Sequence, residues 1–165
     1  MSVTSQPQPQ RPPPPRITHI ARFERLFRAA AGIDVDKMDL RRYEAFVDSK
    51  VADFLQRACE VAKENGRTWI LPRDVPVTKG LAACIDEFRR LDAELGLQPV
   101  FERAHLGNKP QLELEYDEET YAFLPALIGG MSIALARSFK IIDPDVTGIV
   151  TAHWERAVRL FDIVW

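Results

Sequence analysis

From residue 17 onward the apolar positions recur at steps of three and four, and polar positions fill the gaps. Ile20, Phe23, Leu26, Phe27 and Ala30 form the first stripe, with Thr18 placed to cap a helix and Gly32 to end it. After the connection IDVDKM, Asp36 or Asp39 can cap a long helix reaching about Asn65. Its stripe is Tyr43, Phe46, Val47, Val51, Phe54, Leu55, Ala58 and Ala62, one face of a 3.6-residue period. Gly66 is placed as its left-handed terminator. Thr68-Trp69-Ile70-Leu71 is β-branched and aromatic, short, and followed by Pro72, which predicts an extended loop. A further helix over roughly 77–95 carries Leu81, Cys84, Ile85, Phe88 and Leu91 on one face. The long middle helix cannot bury its stripe against two short neighbours, and it requires a second long helix crossing it.

The rest of the chain repeats this order. FER at 23–25 recurs at 101–103, IDVD at 33–36 matches LELE at 112–115 in kind, and ILPRDV at 70–75 aligns with IVTAHW at 149–154. The offsets are 78, 79 and 79 residues, which argues for an internal duplication. The second copy predicts a short helix at 99–106 and a long one from Glu118 to Lys140, capped by Asp117 with Glu118 and Glu119 in its first turn. An extended loop near 146–151 and a last helix at 152–164 follow, and Pro125 predicts a kink or a late start.

Composition narrows the function. A chain of 165 residues with 46% hydrophobic content can bury one compact core. The net charge of −2 argues against wrapping nucleic acid by charge alone. Residues 1–95 hold 16 Lys+Arg against 14 Asp+Glu, and residues 96–165 hold 6 against 10. Residues 1–16 contain six of the twelve prolines and no apolar stretch, so they read as a disordered proline-rich tail and not as a signal peptide. The expected location is cytoplasmic, at the nucleoid if DNA is bound. The uncharged run 122–136 falls short of the roughly 20 residues a membrane span takes, and it predicts a buried central helix and no membrane partner.

Candidate chemistry is sparse. Cys59 and Cys84 lie on apolar helical faces and read as buried thiols in a reducing compartment. His19, His105 and His153 have no paired ligands at metal spacing. Gly129-Gly130 sits in an apolar helical run and reads as a notch between the crossing long helices. The carboxylates of LELEYDEE read as a loop and a helix cap. The expectation is a non-enzymatic protein with no catalytic residue, cofactor, metal or small-molecule substrate.

The stretch Arg67-Thr68-Trp69-Ile70-Leu71-Pro72-Arg73-Asp74-Val75 resembles the second loop of the histone fold. In that fold an arginine and an aspartate seven residues apart clamp the loop, and Arg67 and Asp74 match both types and spacing. FERLFRAAAGIDVDKMDL at 23–40, PVTKGLAACIDEFRRLD at 76–92, and GGMSIALARSFKIIDPDV with HWERAVRLFD at 129–162 extend the likeness. Residues 17–165 resemble a bacterial family of uncharacterised proteins carrying two histone folds in one chain. The resemblance implies an all-α single domain, with halves 17–95 and 96–165 forming an intramolecular histone-like pair without catalytic activity. In the second copy the clamp positions are Val146 and His153, so the clamp is absent and that loop should be held by packing around Trp154.

Histone pairs meet DNA at two loop pairs and at the paired first helices. One loop pair here has Lys37 but also Asp34, Asp36, Asp39, Asp143 and Asp145. The other has Arg67, Arg73 and Lys109 beside Glu113 and Glu115. Arg22, Arg25 and Arg28 stand at three-residue steps on the first helix, with Arg41 and Arg42 at the start of the long one. The leading expectation is a protein-interaction or assembly module that forms homo-oligomers or docks a protein. The alternative is weak, salt-sensitive, non-specific DNA binding through Arg22, Arg25, Arg28, Arg41, Arg42 and Arg73.

Overall fold

A computed structural model describes residues 16–97 and 111–165. The proline-rich tail and the short helix expected at 99–106 lie outside the described residues. Helix α1 spans Arg16–Ala31. It begins before Thr18, the residue expected to cap it. Helix α2 spans Lys37–Glu64. Asp36 starts it: one carboxylate oxygen accepts from the amides of Met38 (2.7 Å) and Asp39 (3.0 Å), and Asp39 returns a carboxylate oxygen to the Asp36 amide at 3.0 Å. This reciprocal box satisfies amide donors that a helix start leaves open. Gly66, at φ 68°, turns the chain out of α2 in the left-handed region.

Strand β1 is Trp69–Ile70, a 3-10 turn follows at Pro72–Asp74, and α3 spans Lys79–Leu95 with the Thr78 hydroxyl accepting from Leu81 N at 3.2 Å. Strand β2 is Glu115–Tyr116. Helix α4 spans Glu118–Ile142, capped by Asp117, which accepts from Thr120 N at 2.8 Å. Helix α5 spans Thr151–Val164. The described architecture is therefore all-α apart from a two-residue parallel ladder.

Helix α4 runs through Pro125 from the first residue after its cap, so the late start expected from that proline does not occur. An interior proline costs about 3 kcal/mol. Its neighbours Leu124, Leu127 and Ile128 are buried, and each such side chain gains about 1.5–3 kcal/mol on leaving water. Burial outweighs the lost amide. By length and composition α4 could cross a membrane, but 72% of its most apolar window is buried inside the protein. It is the central core helix.

Two loop pairs join the halves. Strand β1 pairs in parallel with β2, Trp69 opposite Glu115 and Ile70 opposite Tyr116. Asp117 N and the Thr120 hydroxyl both donate to Ile70 O, at 3.1 and 3.0 Å. At the other end Asp34 forms a parallel bridge with Gly148, and Asp34 N donates to Thr147 O at 2.8 Å. The loop after α1 thus meets the loop before α5, and the loop after α2 meets the loop before α4. Each half supplies one loop to each end.

The long helices α2 and α4 are pinned to each other by Tyr43, whose hydroxyl lies 2.7 Å from Ser132 Oγ. Ser132 donates to Ile128 O at 2.7 Å, so Tyr43 is the donor to Ser132. Burial drives the Tyr43 phenol well above its ordinary range. The unfolded chain ionises this group first, near pH 10, while the folded chain keeps its proton. Stability is thus full below pH 10 and falls above it, by at most about 1.4 kcal/mol per pH unit from this group. Urea melts between pH 8 and 11 should show that slope, and Tyr43→Phe should flatten it while costing about 1 kcal/mol at neutral pH. Equal alkaline slopes in the two proteins would contradict this account.

The glycine pair at 129–130 forms a notch, but not between the long helices. A Cβ on Gly129 would strike the Phe88 ring. A Cβ on Gly130 would strike Ile85 Cγ1 and sit 2.9 Å from the Ile85 backbone nitrogen. Both partners belong to α3. The notch seats Phe88 and Ile85 of α3 against the backbone of α4, and the long-helix crossing carries the Tyr43–Ser132 hydrogen bond instead.

Candidate interaction surfaces

The end formed by β1 and β2 is built around Asp74. Its side chain is 1% exposed, and it accepts from Arg67 Nη2 and, at 2.9 Å, from Leu71 N. Arg67 is 26% exposed, and its Nε is buried without a hydrogen-bond partner. The guanidinium therefore faces inward toward the loop. Lys63 pairs with Glu113 across the two halves, and the carboxylate raises the Lys63 pKa. Arg73 is exposed. Lys109 lies outside the described residues.

The end formed by Asp34 and Gly148 is held differently. Arg28 donates to Asp34 at 2.9 Å, and this bond and charge raise the guanidinium pKa. Lys140 Nζ donates to Val146 O at 2.5 Å and Pro144 O at 3.4 Å, so the nearest lysine ties down carbonyls of its own loop. Arg42 donates to the Thr151 hydroxyl at 2.8 Å, and Trp154 Nε1 donates to buried Asp39 at 2.8 Å. Trp154 also packs edge-on against Phe139, with ring centroids 5.0 Å apart.

His153 completes this end and adds hydrogen bonds to the expected packing around Trp154. Its Nδ1 accepts from Val150 N at 3.1 Å, and its Nε2 lies 3.2 Å from Asp143 Oδ2. Since Nδ1 accepts, the proton resides on Nε2 and is donated to Asp143. Asp74 and His153 each cap the amide three residues before them. The partners are inverted: a carboxylate cap held by an arginine in the first half, an imidazole cap held by a carboxylate in the second. Sequence register places Val146 opposite His153, and Val146 is buried in the core. The true partner comes from ten residues upstream, at the end of α4, where no spacing rule for the histone clamp points.

The six arginines named as nucleic-acid candidates divide in two. Arg28 and Arg42 are engaged by Asp34 and Thr151. Arg25, Arg41 and Arg73 are exposed, Arg22 is half-buried, and none of these four has an ion pair among the described residues. Among the described residues no group of three or more His, Cys, Asp or Glu could hold a metal ion. Cys59 and Cys84 are buried free thiols; burial pushes the Cys84 thiol up, against the opposing pull of nearby Arg137.

These features define a helical protein whose two halves are cross-paired at both ends and whose buried polar contacts tie both loops and helices. The chain belongs to the family described as a domain of unknown function (DUF1931), which matches residues 23–162. It is similar to a protein of Thermus thermophilus whose crystal structure is 45% identical, covers 88% of this chain and 97% of that one, and superposes with a TM-score of 0.79. A crystal structure from Aquifex aeolicus, 20% identical over 89% of this chain and 95% of that one, shares the fold with a TM-score of 0.77. No curated protein matches the chain.

Proposed function

We propose that the chain is a single-molecule pair of histone folds and serves as a non-enzymatic assembly module. Support for the paired histone folds comes from the crossed loops. At each end a loop of one half pairs in parallel with a loop of the other, as the loops of two histone chains would pair head to tail. The assembly role rests on one observation, the aliphatic surface of the last helix. Ile163 is 83% exposed and Val164 51%, with Leu160 beside them on α5. Contiguous aliphatic surface on one helix marks a contact with another protein surface.

A second reading, DNA binding, is favoured by the four arginines without ion pairs, Arg22, Arg25, Arg41 and Arg73. It is opposed at the Asp34 end, where Arg28, Arg42 and Lys140 already serve Asp34, Thr151 and loop carbonyls. Two titrations separate the readings. Light scattering over a hundredfold range of protein concentration should show the mass rising above the monomer value. Anisotropy of a labelled duplex of about 30 base pairs at ~50 and ~200 mM salt should show little binding at either. A constant monomer mass together with tight low-salt binding that collapses at high salt, and is lost in Arg22→Ala/Arg25→Ala/Arg41→Ala, would reverse the order of the two readings.

A further inference from the structure

The last turn of α5 is anchored on its inner side by aromatic rings. The Trp165 ring centroid lies 4.3 Å from that of Phe161, 5.7 Å from Phe54 and 6.3 Å from Phe46. Such a cluster fixes the helix end in place. The outer side of the same turn carries Ile163 at 83% exposure, so a large aliphatic side chain is held out into water by a firmly seated helix. Beside it opens a cavity of about 400 Å3. Phe54, Pro76, Val164 and Trp165 wall this cavity, and Asp53 and Arg57 stand at its exposed rim. Ile163 directly precedes two of the wall residues.

The two features carry opposite charge. Around the cavity, Lys50 is shared by Asp162 at 2.6 Å and Asp53 at 3.4 Å, and Arg57 is held by Glu60 at 2.9 Å. Two cations there meet three carboxylates, and one negative charge is left over, with Asp53 holding the weaker share of Lys50. On the outer side of α5, Glu155, Arg156 and Arg159 are exposed, and none has an ion pair among the described residues. One carboxylate against two cations leaves one positive charge. Arg159 stands four residues before Ile163 and so projects from the same helix face. A protruding side chain and a walled cavity of opposite excess charge thus lie side by side on one molecule. The molecule itself, turned about a two-fold axis between them, fits both at once, because each copy then gives its side chain and receives the other's.

We propose that this face binds a second copy of the chain, with Ile163 of each copy seated in the other's cavity and Arg159 of each copy beside the other's Asp53. The inference rests on the assembly reading and names its partner and its contact. Ile163 is the central apolar anchor, and the two Arg159–Asp53 contacts at the rim set the register.

Light scattering of the full chain over about a hundredfold range of concentration should approach twice the monomer mass and go no further, since a two-fold contact closes on itself. Ile163→Asp should weaken the association about tenfold or more, the size of a central anchor. Arg159→Glu and Asp53→Lys each set like charges against one another, and each alone should weaken it about fivefold. Their one-to-one mixture should recover the parent's association, because one contact of the mixed dimer then carries both reversed charges and the other carries neither. All three positions are exposed, so thermal melts at the lowest concentration should stay within a few degrees of the parent and show that the variants are folded. Association that survives Ile163→Asp, or a mixture no better than its components, would overturn this pairing and leave assembly to another surface. A parent that stays monomeric throughout would overturn both the pairing and the assembly reading beneath it.

Discussion

Gly130→Ala is expected to destabilise the protein by about 2 kcal/mol, although alanine is the better helix former. The added methyl would meet Ile85 Cγ1 and the Ile85 backbone nitrogen. A side-chain tip can turn away, but a backbone atom moves only if α3 moves. Overpacking of this kind costs about 1–3 kcal/mol, and the larger figure applies where backbone is struck. The helix-propensity gain of alanine over glycine returns about 1 kcal/mol. Gly80, on the first turn of α3, is the internal control, because nothing lies within 4 Å of the Cβ it lacks. Gly80→Ala should be neutral or stabilising by up to about 1 kcal/mol. Urea denaturation of the three proteins decides the matter, and a Gly130→Ala midpoint equal to that of Gly80→Ala would mean that α3 does not seat in the notch.

Asp74→Ala should cost about 3 kcal/mol, the other large effect. The substitution strands the Leu71 amide and leaves Arg67, already short of one partner at Nε, with no carboxylate. Breaking a buried ion pair costs about 3–5 kcal/mol, and the partial exposure of Arg67 lowers the expectation to the bottom of that range. His153→Ala at the other end should cost only about 1 kcal/mol, the usual value of a lost helix cap, because its partner Asp143 is 42% exposed and can return to water. Denaturant melts of both variants measure the difference. If they are equally costly, the arginine adds nothing to the first loop beyond the cap that both residues supply.

The ends of the helices were readable because capping is local. Asp36 and Asp117 each bind amides within three residues, and Gly66 terminates α2 through its own backbone angle. Thr18 shows where such reading fails. Helix α1 begins ahead of it. The Arg67–Asp74 contact was equally legible, being a pair within one loop. The pairing of His153 with Asp143 was not, because it replaces a known pattern with groups of inverted character at another spacing.

What the order of residues determined by itself is the helices among the described residues, their approximate boundaries, the buried character of α4 and the presence of a close-packed notch. These follow from periodicity, from the missing Cβ of glycine and from side chains that reach their own backbone. Tertiary structure alone decided that α3 fills the notch, that Arg28 and Arg42 are drawn to Asp34 and Thr151, and that Lys50 is buried against Asp162, 112 residues away. Lys50 stands three or four residues from Phe46, Val47 and Phe54, on the buried face of α2, but its carboxylate partner is supplied only when α5 is laid over it. Whether a charge faces water or a partner depends on which surfaces the folded chain brings together, and that choice is made by the packing of the whole core, not by any segment of it.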